Sequence, residues 1–543
     1  MDKVAETGFR KKEGLSFKPE KKGLMMPLAL AALGGVLQTL SWPWPGLWPL
    51  CFVALAPLIL AVDGQSGRRA FGLGWVYGMS LSLTSLPWIA DVLAGYGGLG
   101  PVLGWLVTAL LAAILAVYPA LFGWIATLRV SGPAAWILVG SVAWCGLDWL
   151  KNWLFTGFNW TPLAGPLVLS PEMGQAADLF GFYGLGFFVA LVNFLLAASI
   201  FKRRDGCPKK GGPYLAAALL LVLAGYGYGY LQFDRWDKAS AGYPQAAVVA
   251  VQPSTEQTYK WDEAYRNRLL TKYAALARVA AAHKPWLVIW PETALPFIFE
   301  HDYEESEWLR ALSREIGGYS LVGLAGVSGF WPEQKLHNRM ILFHDGETEA
   351  FYDKTHLVPF GEYVPFEDLA VVRWLFEQGL LGAAGRYDPG RNLPPIDVPR
   401  RPLDPQTDQV RLGVLICFES IFPYLGRERV LEGAELLIVP TNDGWFGRSR
   451  APQQHLYQAA MRAVETRRPV ARVGNTGISA VIHPSGYIAW ASELYGIGAY
   501  SLTTPLPGRA NLTTTFFVAW GYLLAPILAG LAVLLAIIRF FRK

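Results

Sequence analysis

The chain has 543 residues, of which 53% are hydrophobic, 14% aromatic and only 16% charged, and its mean hydropathy is +0.28. A soluble globular protein carries about 25% charged residues, so this composition excludes one. The formal net charge of +5 is small and its Lys and Arg gather beside apolar runs, where they orient helices in a bilayer, so nucleic acid is excluded as a partner.

The apolar residues are unevenly spread, and residues 233–507 have ordinary globular composition, which gives a membrane bundle carrying a soluble domain. Residues 1–23 form a basic cytoplasmic tail, with Lys3, Arg10, Lys11, Lys12, Lys18, Lys21 and Lys22 ahead of an apolar run at 24–40. Trp42-Pro-Trp-Pro-Gly46 stands where a secretory leader would carry a small-residue cleavage site, so the run reads as an uncleaved first span. Further runs fall at 47–62, 70–89, 102–128, 134–150, 179–201, 214–231 and 516–540. Judged against the ~20 residues a helix needs to cross, they predict eight transmembrane helices, seven within 24–232 and the eighth within 508–543, where the chain ends in the cytoplasm. Basic residues fall on alternate loops: the tail, Arg68-Arg69, Arg129, Lys202-Arg-Arg204 with Lys209-Lys210, and finally Arg539, Arg542 and Lys543. Both ends are then inside and the soluble domain outside, which in a bacterium is the periplasmic face. Asp148 and Lys151, beside Trp149 and Trp153 at a span end, read as an interfacial anchor in preference to a proton relay.

Within 233–507, buried strands are predicted at 246–252, 286–290, 320–325, 413–416, 434–440, 470–473 and 479–483, with helices at 261–283, 304–316 and 452–466. Residues 338–344 and 348–354 read as a hairpin around Asp345-Gly346. Strands alternating with helices mean a layered α/β domain. Several strands end in a polar residue. The run Gly413-Val-Leu-Ile416 ends in Cys417, flanked by Glu419 and Ser420, and Cys417 is the one cysteine of this domain; Cys51 and Cys145 lie in spans and Cys207 on a cytoplasmic loop. A lone thiol in an oxidising compartment is a hazard unless shielded or needed.

Glu292 and Lys354 stand at two other strand ends, and such ends line the ligand crevice of open α/β sheets. If the three converge, the thiolate is a nucleophile, a carboxylate moves its proton and an ammonium holds the oxyanion beside the backbone N–H that follows Cys417. Taken singly, Glu292 reads as a helix cap and Lys354 as a surface ion-pair partner of Asp353 or Glu362.

Four segments carry a family resemblance: Ile289-Trp-Pro-Glu292-Thr, Tyr352-Asp-Lys354-Thr-His-Leu-Val-Pro-Phe-Gly-Glu362-Tyr-Val-Pro365, Ile416-Cys417-Phe-Glu419-Ser and Thr441-Asn-Asp-Gly-Trp-Phe-Gly447. They resemble the bacterial apolipoprotein N-acyltransferases, whose membrane bundle carries a domain similar to the nitrilase, or carbon–nitrogen hydrolase, superfamily. The resemblance implies an αββα sandwich, with Glu292 as general base, Lys354 as the residue stabilising oxyanion and thiolate, Cys417 as nucleophile and Glu362 as a carboxylate fixing the lysine. It places Trp261 at the substrate entrance and Asn338, Phe418 and Glu419 in the pocket. Phe418 stands where the family commonly has tyrosine. The implied reaction moves an acyl chain, the sn-1 chain of phosphatidylethanolamine, onto Cys417 as a thioester. The α-amine of a diacylglyceryl-cysteine at a lipoprotein N-terminus then takes it as an amide, with no metal or diffusible cofactor, and a monomer is expected.

Both substrates are lipid-anchored, so the apolar stretch 366–382 reads either as a lid touching the membrane or as a helix buried against the domain, the resemblance favouring the lid. Trp445-Phe446 reads as a second, mobile aromatic wall, and His455, Arg462 and Glu465 share a helix face as a structural network. Two rivals remain at this level: a membrane-anchored amidase or nitrilase-like hydrolase, and a transporter with a non-catalytic domain.

Overall fold

The computed structural model describes residues 23–128, 130–204, 208–330, 332–377, 387–391, 394–400 and 409–541. The basic tail up to residue 22, Arg129, Cys207, Arg542, Lys543 and residues 378–386, which include part of the expected lid, lie outside the described residues.

Six helical stretches are long and apolar enough to cross a membrane: Pro45–Val62, Gly100–Ala126, Pro133–Leu150, Ala177–Phe201, Lys210–Ala241 and Gly521–Phe541. The other two expected spans are helical but fall short in different ways. Met25–Ser41 is apolar and has 17 residues. Gly67–Ser85 has 19 residues, but its apolar content is diluted by glycine and serine. Those small residues serve packing: a Cβ on Gly74 would lie 2.1 Å from the Pro119 carbonyl oxygen, and one on Gly78 2.5 Å from the Ala116 Cα. Membrane helices gain their contact from such close approach, so hydropathy is given up for fit. This helix also stops before the expected residue 89, because Pro87 disfavours helical backbone at Leu86 and opens a new helix, Pro87–Gly95. At the other end of the bundle the helix continues to Ala241, so the expected domain boundary at 233 falls inside it.

The domain that follows is a sandwich of two six-stranded sheets. One has the order β12 (Gly498–Pro505), β1 (Gln245–Gln252), β2 (Leu287–Ile289), β3 (Tyr319–Ser328), β4 (Lys335–His344), β5 (Glu347–Asp353). The other runs β11 (Ile488–Ala491), β10 (Ala480–Ile482), β9 (Val470–Gly474), β8 (Leu436–Thr441), β7 (Gln409–Val414), β6 (Ile396–Pro399). β1, β2 and β3 are parallel, as are β7, β8 and β9, and antiparallel strands extend both sets. The two-residue period of a strand assigns each side chain to a layer. Val248 and Ala250 point between the sheets, while Val249 and Val251 face helices Glu263–Ala282 and Tyr303–Ile316. Leu436 and Ile438 likewise face inward, while Leu437 and Val439 face helices Pro423–Leu431 and Ala451–Thr466. This is the expected α/β nitrilase-like layering.

Helix Ala451–Thr466 is covered on both sides. Its Ala459 and Ala463 pack on the second sheet, and its Met461 and Val464 join the core of the membrane bundle. Polar bonds lock the same junction. Glu465 Oε1 accepts from the Phe182 N–H (2.8 Å), next to the break in helical backbone at Gly181 (φ 68°). Arg467 donates to Asp178 Oδ2 (2.6 Å) and Gln175 Oε1 (2.7 Å) in a fully buried setting. Arg467→Met would strip the buried Asp178 of its cation and leave the Tyr228 hydroxyl donating to its Oδ1. We expect a loss of about 3–5 kcal/mol, measurable by denaturation of the detergent-solubilised protein.

Candidate active site

Three strand ends meet at one end of the sandwich. β2 runs through Trp290-Pro291 to Glu292, β5 is followed directly by Lys354, and β7 is followed after two residues by Cys417, which opens the 3-10 turn Cys417–Ile421. Lys354 Nζ donates to Glu292 Oε1 (2.9 Å) and lies 3.0 and 2.9 Å from Glu362 Oε1 and Oε2. Asn338 Nδ2 donates to both carboxylates at 2.7 Å, and the Asn442 N–H donates to Glu292 Oε2 at 2.9 Å. Cys417 lies close enough to Glu292 and Lys354 for both charges to act on its thiol. Glu292, Lys354, Cys417, Glu362 and Asn338, far apart in the sequence, thus form one buried cluster.

Its electrostatics are those of a poised thiol. Burial pushes the Cys417 thiol up, the Glu292 charge pushes it further, and Lys354 only partly offsets them, so the resting sulfur keeps its proton. Burial also works against the Glu292 carboxylate, but the Lys354 ammonium and the bonds from Lys354 and Asn338 outweigh it and hold it below its ordinary value. Lys354 is held well above its ordinary value despite burial, because Glu292, Glu362 and Cys417 surround it. A neutral thiol near an ionised carboxylate and a fixed cation can deliver its proton and become a stabilised thiolate. Cys417 has φ +52°, a left-handed conformation that costs a non-glycine residue about 1–3 kcal/mol and turns its side chain off the strand line into the pocket.

Glu419 sits under this turn, fully buried. Its Oε1 accepts from the Thr355 N–H (2.7 Å), Thr355 Oγ1 (2.7 Å) and the His356 N–H (3.1 Å); its Oε2 accepts from the Ile416 N–H (2.7 Å). Tyr352 OH bonds both oxygens. Glu419 therefore ties the lysine-bearing segment to the cysteine-bearing one. Phe418 turns the other way, onto Phe158 (6.4 Å between ring centres), Phe422 (5.1 Å) and His356 (5.8 Å). Burial pushes His356 down to about 4, and its Nε2 donates to the Thr156 carbonyl of the bundle (3.1 Å).

Trp261 is half exposed and follows the short helix Gln257–Lys260, which is pinned beside Glu292: Gln257 Oε1 accepts from Asn442 Nδ2 (2.9 Å), and Lys260 Nζ donates to Thr293 Oγ1 (3.0 Å). Burial lowers this Lys260 to about 8, with Glu292 pulling it back up. Nothing in the sequence singles Lys260 out. Trp445 packs edge-on to Tyr96 (5.0 Å), and Phe446 sits against Trp88 (4.7 Å) and Trp160 (5.5 Å). The pair expected as a mobile wall thus packs against aromatic residues of the bundle. The described part of the lid stretch contains helix Ala370–Glu377, and Phe366, Leu369 and Trp374 are each more than half exposed, so these side chains are not buried against the domain.

The network expected on helix Ala451–Thr466 divides. Arg462 and Glu465 pair at 2.7 Å, whereas His455 turns to partners that sequence reading misses, Asp443 and Arg472. Asp443 Oδ1 lies 2.9 Å from His455 Nδ1, and Asp443 Oδ2 accepts from Arg472 Nη2 at 2.7 Å. Asp443, Cys417 and His455 have donor atoms within 4.8 Å of one another, but the guanidinium in their midst makes this a poor seat for a cation. Burial alone would raise the Asp443 carboxyl; Arg472 and then His455 bring it down to about 2. A carboxyl depressed in the folded state adds stability above its unfolded value and loses it as pH falls. Relative to an ordinary 3.8 this is about 2–3 kcal/mol, present above pH 4 and lost between about pH 4 and 2. Asp443→Asn is expected to flatten that acid limb in unfolding measured from pH 5 to pH 2.

A thiol, a carboxylate and an ammonium at the strand ends of a two-sheet sandwich, carried on a membrane bundle, define a membrane-borne thiol enzyme. Residues 34–195 match the Apolipoprotein N-acyltransferase N-terminal domain and residues 245–495 match Carbon-nitrogen hydrolase. The apolipoprotein N-acyltransferase of Geobacter metallireducens is 35% identical over 86% of this chain and 87% of its own. That of Azotobacter vinelandii is 34% identical over 94% and 93%, and that of Vibrio cholerae 29% identical over 94% and 97%. Among solved structures, a mutant of the amidase from Nesterenkonia sp. AN1 aligns with 51% of this chain and 93% of its own at 20% identity, with a TM-score of 0.34. The chain belongs to the apolipoprotein N-acyltransferase family.

Proposed function

We propose that the protein takes an acyl chain from a phospholipid, the sn-1 chain of phosphatidylethanolamine, and passes it through Cys417 to the N-terminal α-amine of a diacylglyceryl-cysteine lipoprotein. Glu292 takes the Cys417 proton as the sulfur attacks the ester carbonyl. Lys354 and the backbone N–H after Cys417 hold the oxyanion. The C–O bond breaks, the proton leaves with the lysophospholipid hydroxyl, and a thioester remains. The neutral amine then attacks that carbonyl, the C–S bond breaks, Glu292 takes a proton from nitrogen and the sulfur regains one. An amine displaces a thiolate far more readily than an alkoxide, so one hard step becomes two easier ones.

The observation that carries this reading is the buried Lys354–Glu292 pair whose charges act on the Cys417 thiol, in a domain whose Phe418 and Phe446 pack against bundle residues Phe158, Trp88 and Trp160. Such packing suits chemistry carried out beside the lipid phase that holds both substrates. Glu362 and Asn338 fix the lysine and the base, Glu419 braces the two segments, Trp261 and Trp445 flank the approach, and 366–382 is the lid. The eight helices cross the bacterial inner membrane, the domain faces the periplasm, and the unit is a monomer.

The test is incubation of the full-length protein with phosphatidylethanolamine vesicles and a diacylglyceryl-cysteine peptide, followed by mass spectrometry. Acyl-Cys417 and then N-acylated peptide are expected; release of free fatty acid alone would make the protein a hydrolase. Asn338→Leu, which removes both 2.7 Å bonds to the carboxylates, is expected to slow acyl-enzyme formation about 10–100-fold.

A further inference from the structure

Cys417, His455 and Asp443 together look like a second catalytic triad, yet the hydrogen bonds point elsewhere. His455 Nε2 lies 2.9 Å from the Cys417 carbonyl oxygen, an atom that can only accept. His455 Nδ1 faces Asp443 Oδ1 at 2.9 Å, and that carboxylate, held at about 2, can also only accept at neutral pH. Nε2 is therefore engaged with the carbonyl and Nδ1 with Asp443 and Arg472, so neither ring nitrogen is hydrogen-bonded to the thiol. We infer that His455 is a positioning residue: it clamps the Cys417 carbonyl and so fixes the left-handed backbone that aims the sulfur at Glu292 and Lys354.

The surroundings are built for this task. Ser420 Oγ donates to the same carbonyl (2.8 Å) and lies 3.1 Å from His455 Nε2, so the turn is held from two sides. Arg472 Nη2 holds Asp443 (2.7 Å) and lies 3.2 Å from the ring Nδ1, while Thr441 Oγ1 donates to Asp443 Oδ1 (2.9 Å). The ring is fully buried, and Trp160 of the bundle covers it at 5.6 Å, with the Trp160 Nε1 donating to the neighbouring Gln454 Oε1 at 2.6 Å. The membrane segment thus reaches the nucleophile through a single intervening side chain. A positive φ at a non-glycine residue persists only where its surroundings over-determine it, and these bonds supply that constraint.

The inference rests on the acyl-transfer reading for one of its two readouts. In full-length protein, acylation of Cys417 from phosphatidylethanolamine vesicles and alkylation of Cys417 by iodoacetamide are both followed at the peptide level across pH, for wild type, His455→Ala and His455→Gln. His455→Ala is expected to slow both by about tenfold or more, the loss of one buried bond to a reacting segment. His455→Gln, whose amide can still donate to the carbonyl, is expected to recover to within about threefold and to keep the pH of half-maximal rate. Wild-type rates in His455→Ala overturn the inference, as does loss of the acid limb in His455→Gln, which would make the ring a base. If His455→Ala does not fold, the His455→Gln rate and profile decide alone. If wild type is alkylated but never acylated, the functional reading fails while the alkylation series still judges His455.

Discussion

Lys354→Met is expected to reduce acyl-enzyme formation by on the order of 10²–10³-fold and to destabilise the domain by roughly 3–5 kcal/mol. Two effects of different origin coincide. The oxyanion and the thiolate lose the only side-chain cation within the described cluster that contacts Glu292, 2.9 Å away. Glu292 and Glu362, both buried, are then left facing each other through Asn338 with no charge between them. Chemical denaturation and acylation kinetics on one preparation separate the two. A double variant, Lys354→Met with Glu362→Gln, should recover stability by removing the uncompensated carboxylate while leaving the rate low. Recovery of both would mean that the ammonium serves structure alone.

Cys417→Ser is expected to lose at least about 10⁴-fold in acylation, below detection in a vesicle assay, with folding retained. The hydroxyl is nearly isosteric, but its proton is held far more tightly than a thiol's, and a carboxylate kept low by Lys354 is too weak a base to take it. The comparison is informative because, in the proposed mechanism, Glu292 need only shift a proton whose departure Lys354 favours. Full acylation by the serine variant would remove Cys417 from the mechanism.

Much of this was legible in the order of the residues, for identifiable reasons. Buried strands are short apolar runs, and each of Glu292, Lys354 and Cys417 follows such a run, so a rule about strand ends finds them although they are far apart. The hairpin could be read because Asp345-Gly346 permits its turn, with Asp345 at φ +50° and Gly346 at φ +82°. β11 and β12 escaped because they lie at the edges of their sheets with most positions partly buried or exposed, so neither shows a continuous apolar run. β6 follows a proline pair that masks the Ile396 and Val398 alternation. The Asp443–His455–Arg472 set could not be found by any local pattern. Its members belong to a turn, a helix and a strand, and their meeting depends on how the second sheet stacks on its own helix. The membrane helices show the converse: Gly67–Ser85 looks weak as a span because its glycines serve a neighbour that hydropathy does not see.

The helix Ala451–Thr466 also decides what can be cut away. A fragment holding only the sandwich would present Met461 and Val464 to water, with Glu465 parted from Phe182 and Arg467 from Asp178, on and beside the very element that supports Cys417. Such a fragment should self-associate and lose its reactive thiol together. A free-standing descendant of this chain would first have to rewrite that face, and the apolar and charged residues now on it are a signature of inheritance as a single membrane-bound unit.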